Sequence, residues 1–437
     1  MSSITIAATP AARAARRLIG ASSLLALLVL PAWAQAPNAR SAPVEPANRT
    51  IVSVLDFGAD PTGTKDSTAA FNAAVKSAAN RVAPGGDGSN TNSCVMVPPT
   101  QGGNTGYLIS GTINLPNMCL KSTGGLVWIR FVPHDNNTDL FNLYAPYNSD
   151  TGSNGGELAG FQIVHPGPHR GRDDIRISSG NHSYIHDIIS TGAGRDCFHA
   201  EPAATNLWIE SLYVEQVTCW HAGRDNFNFT VADGMREVFI TQTTMMNDTS
   251  RLPGRAAVTL DSENQQNGNF KISSWAWIGG EIDCSFGSSP NCVDLIQGSN
   301  SPYQPIEDIN FFNVAIEDAV HGSHPGFAVG VTKRGSAGVG PVNMIGVIAY
   351  GERSGDLDTS QLSGWYRDCT GSNPACHHAF STLQVQKEQG LSFANQTPHT
   401  GANTTTFTNS PCANGNVQNW LAVLINGTTY YLPACHP

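Results

Sequence analysis

The chain is poor in charged residues and has more acidic than basic ones, which argues against one large class of partner. Lysine and arginine number 24 against 34 aspartate and glutamate, and charged residues make up only 13% of the chain. Binding through nucleic-acid phosphates needs a basic surface, whereas the net charge here is −10. We therefore expect no nucleic-acid partner, and an anionic ligand would have to be held by local cations.

The chain also lacks the short motifs of common cofactor and metal sites. It contains no Walker phosphate loop, no dinucleotide-binding fingerprint and no HExxH zinc motif. No CxxC pair occurs, which disfavours a cysteine zinc site. We expect no organic cofactor and no protein-bound metal; Ca²⁺ binding stays open, although no ligand loop for it is recognisable.

No apolar run is long enough to span a bilayer. The run at residues 24–30 follows three arginines and precedes an Ala-Trp-Ala sequence at 32–34, which is the order of a secretory signal. We predict a signal peptide at 1–34 and a flexible leader at 35–50, with no membrane partner. The mature protein is expected to be secreted or periplasmic.

An even number of cysteines, ten in all, favours disulfides in an exported chain. We predict that each cysteine pairs with its neighbour in the sequence. The predicted pairs are Cys94/Cys119, Cys197/Cys219, Cys284/Cys292, Cys369/Cys376 and Cys412/Cys435.

One short phrase recurs in the middle of the chain. Gly-Arg-Asp begins at positions 171, 194 and 223, and a degraded Gly-Arg-Ala begins at 254. Each is followed at the same offset by an alternating apolar pair, the pattern of a strand with one buried face. The pairs are Ile175/Ile177, Phe198/Ala200, Phe227/Phe229 and Val258/Leu260.

A second phrase places apolar residues at n, n+2, n+5 and n+7, and its change of phase predicts two short strands separated by a bend. Repeats of this length indicate a solenoid, propeller or array. We predict an all-β, right-handed parallel β-helix over residues 51–350, with one repeat per coil. A propeller is the alternative, but the hairpin turns that it needs are missing between rows. The rows begin at residues 124, 156, 183, 207, 238, 270, 309 and 342.

Both ends of the solenoid are expected to be covered. A helix capped by Asp66 or Ser67, with Phe71 on its apolar face, would cover the first coil. Residues 351–437 are predicted to be rich in loops and to end in a capping hairpin, because Asn426-Gly427 separates two apolar runs.

The first part of the solenoid resembles a known family. Residues 54–74, with the strands at 97–99 and 107–109, are similar to the N-terminal cap and first coil of the pectate-lyase-like superfamily of parallel β-helix proteins. That superfamily contains polysaccharide lyases, glycoside hydrolases and tailspike depolymerases, so the resemblance implies a polysaccharide partner. Similar proteins are sometimes trimers, so we expect a monomer or a homotrimer.

The recurring Arg and Asp residues supply the first candidate site. Carboxylates stacked on adjacent coils would lie ~5 Å apart, and those two coils apart nearly twice that, close to the separations in retaining and inverting glycosidases. We predict Asp196 and Asp225 as an acid and base pair, with Asp173 as the alternative partner. Predicted substrate-binding residues on the same coils are Arg172, Arg195, Arg224, Trp208, Trp220 and Tyr213.

The same repeat also has a purely structural interpretation. An Asp in a turn can accept backbone N–H bonds, and an Arg can bridge neighbouring coils. The sequence leaves both interpretations open.

Histidines on these coils supply a competing chemistry. His199 or His221, with an Arg and a Tyr, would suit a lyase that removes the proton alpha to a uronate carboxylate. The sequence thus predicts a secreted polysaccharide-degrading enzyme, with glycoside hydrolysis preferred. A polysaccharide lyase and a non-catalytic glycan-binding fibre are the alternatives.

Overall fold

The computed structural model describes a single series of strands and one α-helix between Thr50 and Ala434. The predicted signal peptide and the leader up to residue 49 lie outside the described residues. Within them, no helix is both long and apolar enough to cross a membrane. The described residues are 50–79, 93–100, 106–116, 118–145, 156–167, 169–204, 207–231, 238–262, 270–298, 306–318, 326–336, 338–350, 355–358, 360–368, 419–425 and 428–434.

The described strands form two parallel sheets, of 19 and nine strands, and a separate antiparallel pair, formed by the last two of them. The strands are β1 (Thr50–Ser53), β2 (Ser93–Val97), β3 (Tyr107–Ile109), β4 (Ile113–Pro116), β5 (Cys119–Ser122), β6 (Val127–Phe131), β7 (Phe141–Tyr144), β8 (Glu157–Val164), β9 (Ile175–Ile177), β10 (Gly180–Asn181), β11 (Tyr184–Thr191), β12 (Phe198–Ala200), β13 (Trp208–Glu210), β14 (Tyr213–Trp220), β15 (Phe227–Thr230), β16 (Val238–Met246), β17 (Thr249–Arg251), β18 (Val258–Asp261), β19 (Phe270–Ile278), β20 (Glu281–Asp283), β21 (Val293–Gln297), β22 (Ile306–Phe312), β23 (Ala315–Glu317), β24 (Phe327–Lys333), β25 (Val342–Ile345), β26 (Ile348–Tyr350), β27 (Gly355–Leu357), β28 (Trp365–Asp368), β29 (Asn419–Ile425) and β30 (Thr428–Ala434).

Each strand pairs with the strand one coil further along, which confirms the predicted parallel β-helix. The nine-stranded sheet contains the strands that follow the Gly-Arg-Asp phrase: Phe198 pairs with Ile175 on one side and with Phe227 on the other. The apolar pairs of this phrase point inward and are fully buried, as predicted.

Single residues in the left-handed backbone region make the bends inside each coil. Ser211, Gln242 and Ser274 occupy the same position in successive coils, with φ of 53°, 54° and 52°. One left-handed residue reverses the alternation of a strand, so apolar residues on both sides of the bend can face inward. The predicted phase change between n+2 and n+5 is therefore confirmed, and these residues lie at n+4.

The register of two predicted rows differs from the sequence expectation. Trp275 pairs with Ile309, although the row predicted to begin at 309 placed Val314 opposite Trp275. A second left-handed bend follows the first in each coil, at Gln216 and Asn247 for example, with the same apolar spacing around it. The phrase fits either bend: the rows beginning at 207, 238 and 270 follow the first bend, whereas those beginning at 156, 183, 309 and 342 follow the second. The predicted register is therefore wrong between rows 183 and 207 and between rows 270 and 309.

The solenoid also continues beyond its predicted end at residue 350. β27 pairs with β24 in the nine-stranded sheet, and β28 pairs with β25 in the larger one. β29 and β30 pair antiparallel, which agrees with the predicted C-terminal hairpin. Its role as a cap stays a prediction.

The one described α-helix, α1 (Thr68–Ala79), covers apolar residues next to the first strands. Asp66 accepts a hydrogen bond from the backbone N–H of Thr68 at 2.9 Å. The helix packs against β1, β2 and β4, which agrees with the predicted apolar face; its function as an end cap stays a prediction. The residues of the buried face are Ala70, Phe71, Ala74, Val75 and Ala78.

Three of the five predicted cysteine pairs are bonded. Their Cα atoms are 4.4, 5.7 and 5.0 Å apart in Cys94–Cys119, Cys197–Cys219 and Cys284–Cys292. The pairs 369/376 and 412/435 lie outside the described residues.

Candidate functional site

The repeated Arg and Asp side chains form a continuous ladder of ion pairs from coil to coil. Each Arg donates from Nε and one terminal nitrogen to the Asp of the preceding coil. Arg195, for example, contacts the two carboxylate oxygens of Asp173 at 2.8 and 2.6 Å. The four pairs are Arg172–Asp139, Arg195–Asp173, Arg224–Asp196 and Arg255–Asp225.

The ladder has a defined beginning and end. Asp139 lies beside Asp173, since Phe141 pairs with Ile175, and it supplies the carboxylate for the first Arg. At the other end Ala256 replaces the Asp, and Ser289, whose N–H donates to the carbonyl of Arg255, stands where the next coil would need an Arg. Sequence reasoning missed Asp139 because no Gly-Arg precedes it. Its offset from the apolar Phe141/Leu143 pair was the available signal.

The geometry of the ladder supports its structural interpretation. Asp173, Asp196 and Asp225 are fully buried. Asp196 and Asp225 also hold the backbone of the next coil: the Asp225 N–H donates to Asp196 and the Ala256 N–H donates to Asp225, both at 3.2 Å. Nothing in this arrangement supports the predicted acid and base roles of these carboxylates, because each is turned away from solvent and already bound by an arginine.

The arginines of the ladder are the solvent-facing half of it. The side chains of Arg172, Arg195 and Arg224 are 30–33% exposed. Two nitrogens of each guanidinium are already bonded to an Asp. Their predicted contact with substrate stays a prediction.

His199, a candidate lyase base from the sequence, is only 2% exposed. Its Nδ1 lies 2.8 Å from Asp173 and 2.6 Å from Arg195, and its Nε2 is buried without a hydrogen-bond partner. Burial opposes the charge on Asp173, but His199 and Arg195 outweigh it and hold the pKa of that carboxyl below its ordinary range. His199 thus belongs to the interior of the ladder, and an accessible lyase base at this position finds no support.

The predicted aromatic residues differ in accessibility. Trp220 is 38% exposed, and its ring is parallel to that of His221, with 5.8 Å between centroids. Trp208 is half-buried and packs edge-on against Phe239 at 5.6 Å. Tyr213 is half-buried and pairs in register with Tyr184. Trp220 and His221 are therefore the most accessible of the predicted site residues.

A cluster of carboxylates that the sequence did not reveal lies on the same outward column as Trp220. The register places Trp220 beside Arg251, and Asp283 beside Glu317. Arg251 lies opposite Asp283, because Ser250 pairs with Ile282. One oxygen from each of Glu281, Asp283 and Glu317 lies within 4.8 Å of the others. Four successive coils thus present an aromatic ring, a cation and acidic groups in one line.

The carboxyl groups of the cluster have different partners. Arg251 donates to Glu281 at 2.6 Å. Asp283 accepts the backbone N–H of Ser285 at 2.8 Å. Partial burial, together with the hydrogen bond and the charge of Glu281, raises the pKa of Glu317 to about 7. Near neutral pH Glu317 can therefore hold a proton that it could donate.

The cluster is also one of two groups, among the described residues, whose ligand atoms lie close enough to hold a metal ion. The other consists of Asp173, Asp196 and His199. Arginines already occupy the carboxylates of that second group. The oxygen donors of Glu281, Asp283 and Glu317 are the type that Ca²⁺ prefers.

Comparisons with known proteins return structural similarity at low sequence identity. No protein-family model matches the chain, and no curated protein sequence does. The chain is similar to the tailspike protein of an Acinetobacter phage, with 14% identity over 80% of this chain and 65% of that one, and a TM-score of 0.41. The chain is also similar to an exopolygalacturonase from Thermotoga maritima, with 11% identity over 73% of this chain and 86% of that one, and a TM-score of 0.35.

A third similar structure is the ORF18 protein of Geobacillus virus E2, with 11% identity over 73% of this chain and a TM-score of 0.39. The chain spans 61% of that protein and 65% of the tailspike, less than two thirds of each. The assignment of the fold rests on the strand pairing of the chain itself.

Proposed function

We propose that the chain is an exported enzyme that hydrolyses a polysaccharide, with Glu281 and Glu317 as the reacting carboxylates. The observation that carries this proposal is the convergence of three carboxyl groups within 4.8 Å, the half-buried Glu281 and Glu317 and the buried Asp283, in line with Trp220. Solenoids bind extended ligands along such outward columns. The three bonded cysteine pairs are typical of exported proteins.

The spacing of the carboxylates favours the retaining mechanism. Retaining glycosidases hold their two carboxyl groups ~5 Å apart, whereas inverting enzymes leave room for a water between them. Glu317 would protonate the leaving oxygen, and Glu281 would attack the anomeric carbon to form a glycosyl ester. Glu317 would then take a proton from the water that hydrolyses this ester. Arg251, bonded to Glu281 at 2.6 Å, would hold this carboxylate in position for the attack.

This site replaces the Asp196 and Asp225 pair as the proposed centre of the chemistry. The reaction class preferred from the sequence, glycoside hydrolysis, is kept. Substrate contact by Trp220 is kept as well, since its ring is exposed and lies two coils from Asp283, about 10 Å away.

The test is a panel of neutral and uronate polysaccharides incubated with the purified protein. New reducing ends are measured in parallel with the ultraviolet absorbance of an unsaturated uronate. We expect reducing ends without that absorbance, and early products that keep the anomeric configuration of the substrate. Absorbance together with reducing ends would show a lyase, and the absence of both signals across the panel would favour the glycan-binding fibre.

Glu317→Gln tests the assignment of the acid. We expect turnover to fall by at least two orders of magnitude, because general acid catalysis contributes about 10²–10⁴-fold. Glu307→Gln is the matched control, since Glu307 is an outer-face glutamate paired with Lys271 away from the cluster. An unchanged rate in Glu317→Gln, or an equal loss in the control, would contradict the assignment.

A further inference from the structure

Phe286 combines an unfavourable backbone conformation with an exposed aromatic ring. Its φ is 69°, and its side chain is 69% exposed, more than any other large apolar residue in the described part of the chain. The left-handed region is strained for bulky residues. Elsewhere in the solenoid this conformation falls mostly on polar residues such as Ser211 and Gln242.

Folding alone gives no reason for this residue. A glycine would adopt the same backbone without strain, and an exposed ring gains little from burial. A strained, exposed aromatic residue is therefore better explained by contact with another molecule.

The turn that carries Phe286 is held on several sides. The disulfide between Cys284 and Cys292 closes it. Within it, Gly287 donates to the carbonyl of Cys284 at 3.0 Å. Ser288 donates to Gly254, in the turn of the preceding coil, at 3.2 Å. The ring is therefore presented by a fixed support, which lowers the entropy cost of binding a ligand.

The same turn begins at the carboxylate cluster. Asp283 accepts hydrogen bonds from both the backbone N–H and the hydroxyl of Ser285, the residue before Phe286. His221, which follows the outward strand two coils earlier, stacks on Trp220. At this edge of the outer face, Phe286 thus lies next to the reacting groups, and Trp220 lies about 10 Å from them.

We propose that Phe286 contacts the glycan directly and packs its ring against the apolar face of a sugar next to the bond that is cleaved. The inference rests on the proposed function. It points to a substrate whose sugar at this position is uncharged, because an aromatic face offers no partner for a carboxylate and the neighbouring groups are acidic.

The test compares affinity and thermal stability in a background that binds without turnover. All variants carry Glu317→Gln, and affinity is measured by electrophoresis through gels containing a soluble glucan, galactan, mannan or polygalacturonate. Phe286→Gly should weaken retardation by a neutral polysaccharide at least five-fold, yet raise the melting temperature, because the strain is removed. Phe286→Tyr should keep the affinity.

Leu252→Gly is the matched control. Leu252 has a φ of 49° and is the other apolar residue with this strain in the described part. Its replacement should raise the melting temperature but leave the affinity unchanged. A fall in stability for Phe286→Gly, unchanged affinity, retardation by polygalacturonate only, or no retardation of the parent by any polysaccharide would each overturn the proposal.

These outcomes are separate from those that test the proposed function. If Glu317→Gln keeps full turnover, the catalytic assignment fails, whereas a loss of affinity in Phe286→Gly would still identify a glycan contact. If turnover is lost in Glu317→Gln but affinity does not depend on Phe286, only the contact is refuted.

Discussion

Breaking the last pair of the Arg and Asp ladder should separate its structural role from a catalytic one. Asp225 is fully buried, whereas the side chain of Arg255 is 28% exposed. Arg255→Met therefore strands a buried carboxylate, which costs about 3–5 kcal/mol of the free energy of unfolding. Asp225→Ala leaves Arg255 without its carboxylate partner, but the Arg255 side chain can reach solvent. Its main cost is the unpaired backbone N–H of Ala256, about 1–3 kcal/mol.

The double variant gives the decisive comparison. Arg255→Met with Asp225→Ala removes both charges, and it should be more stable than Arg255→Met alone by about 2 kcal/mol. The chain itself lacks both charges one coil later, where Ala256 and Ser289 stand at the Asp and Arg positions.

The cost of Arg255→Met should also depend on pH in a known direction. Burial, opposed by Arg255, already raises the pKa of Asp225 above its ordinary value. Loss of the arginine raises that pKa further, so the folded variant holds a proton that the unfolded chain releases. Stability is then retained below the ordinary carboxyl pKa of ~4 and falls as the pH rises above it.

Urea unfolding followed by tryptophan fluorescence measures these free energies, because Trp275 and Trp277 are buried in the core. If Asp225→Ala abolished turnover without lowering stability, the structural interpretation would be refuted and the carboxylate would return as a catalytic candidate. A cost of Arg255→Met that does not change between pH 4 and 7 would contradict the electrostatic reasoning.

Three further predictions concern single sites. Burial raises the pKa of Asp248 to about 8, so the folded state prefers the protonated form. The free energy of unfolding of the wild type, measured in urea titrations, should fall between pH 4 and 8 relative to that of Asp248→Asn, by up to about 4 kcal/mol at pH 7. Parallel pH profiles of the two proteins would refute this prediction. The raised pKa of Glu317 predicts that turnover declines as the pH rises through about 7; a rate that stays level to pH 9 would exclude it as the acid. Replacing Cys197 and Cys219 by serine should cost about 3 kcal/mol of stability in denaturant titrations, and no loss would mean that the bond adds nothing.

The fold could be predicted from the sequence because its signals are local and repeated. The alternating pairs after each Gly-Arg-Asp, and the phase change at residues such as Ser211, are set within a few neighbours along the chain. The register between coils was harder to predict, because the two bends in each coil have the same spacing of apolar residues around them. The row beginning at 309 was therefore displaced by one strand.

The candidate site could not be predicted because it also depends on the register between coils. Trp220, Arg251, Asp283 and Glu317 are about 30 residues apart and share no motif, and only the correct register brings them into one column. The Gly-Arg-Asp repeat indicated Asp173, Asp196 and Asp225 instead. A residue type that recurs in every coil indicates what the fold needs, whereas a reaction needs a combination that occurs once.

The offset of the ladder also sets how the solenoid opens. Each Asp supports the Arg of the following coil, so no coil between Asp139 and Arg255 can detach without stranding a charge in one of its neighbours. Repeat proteins commonly lose their terminal units one by one. Here the coils of the ladder should exchange their amide hydrogens as one cooperative block with sharp limits, while coils beyond Ser289 open independently.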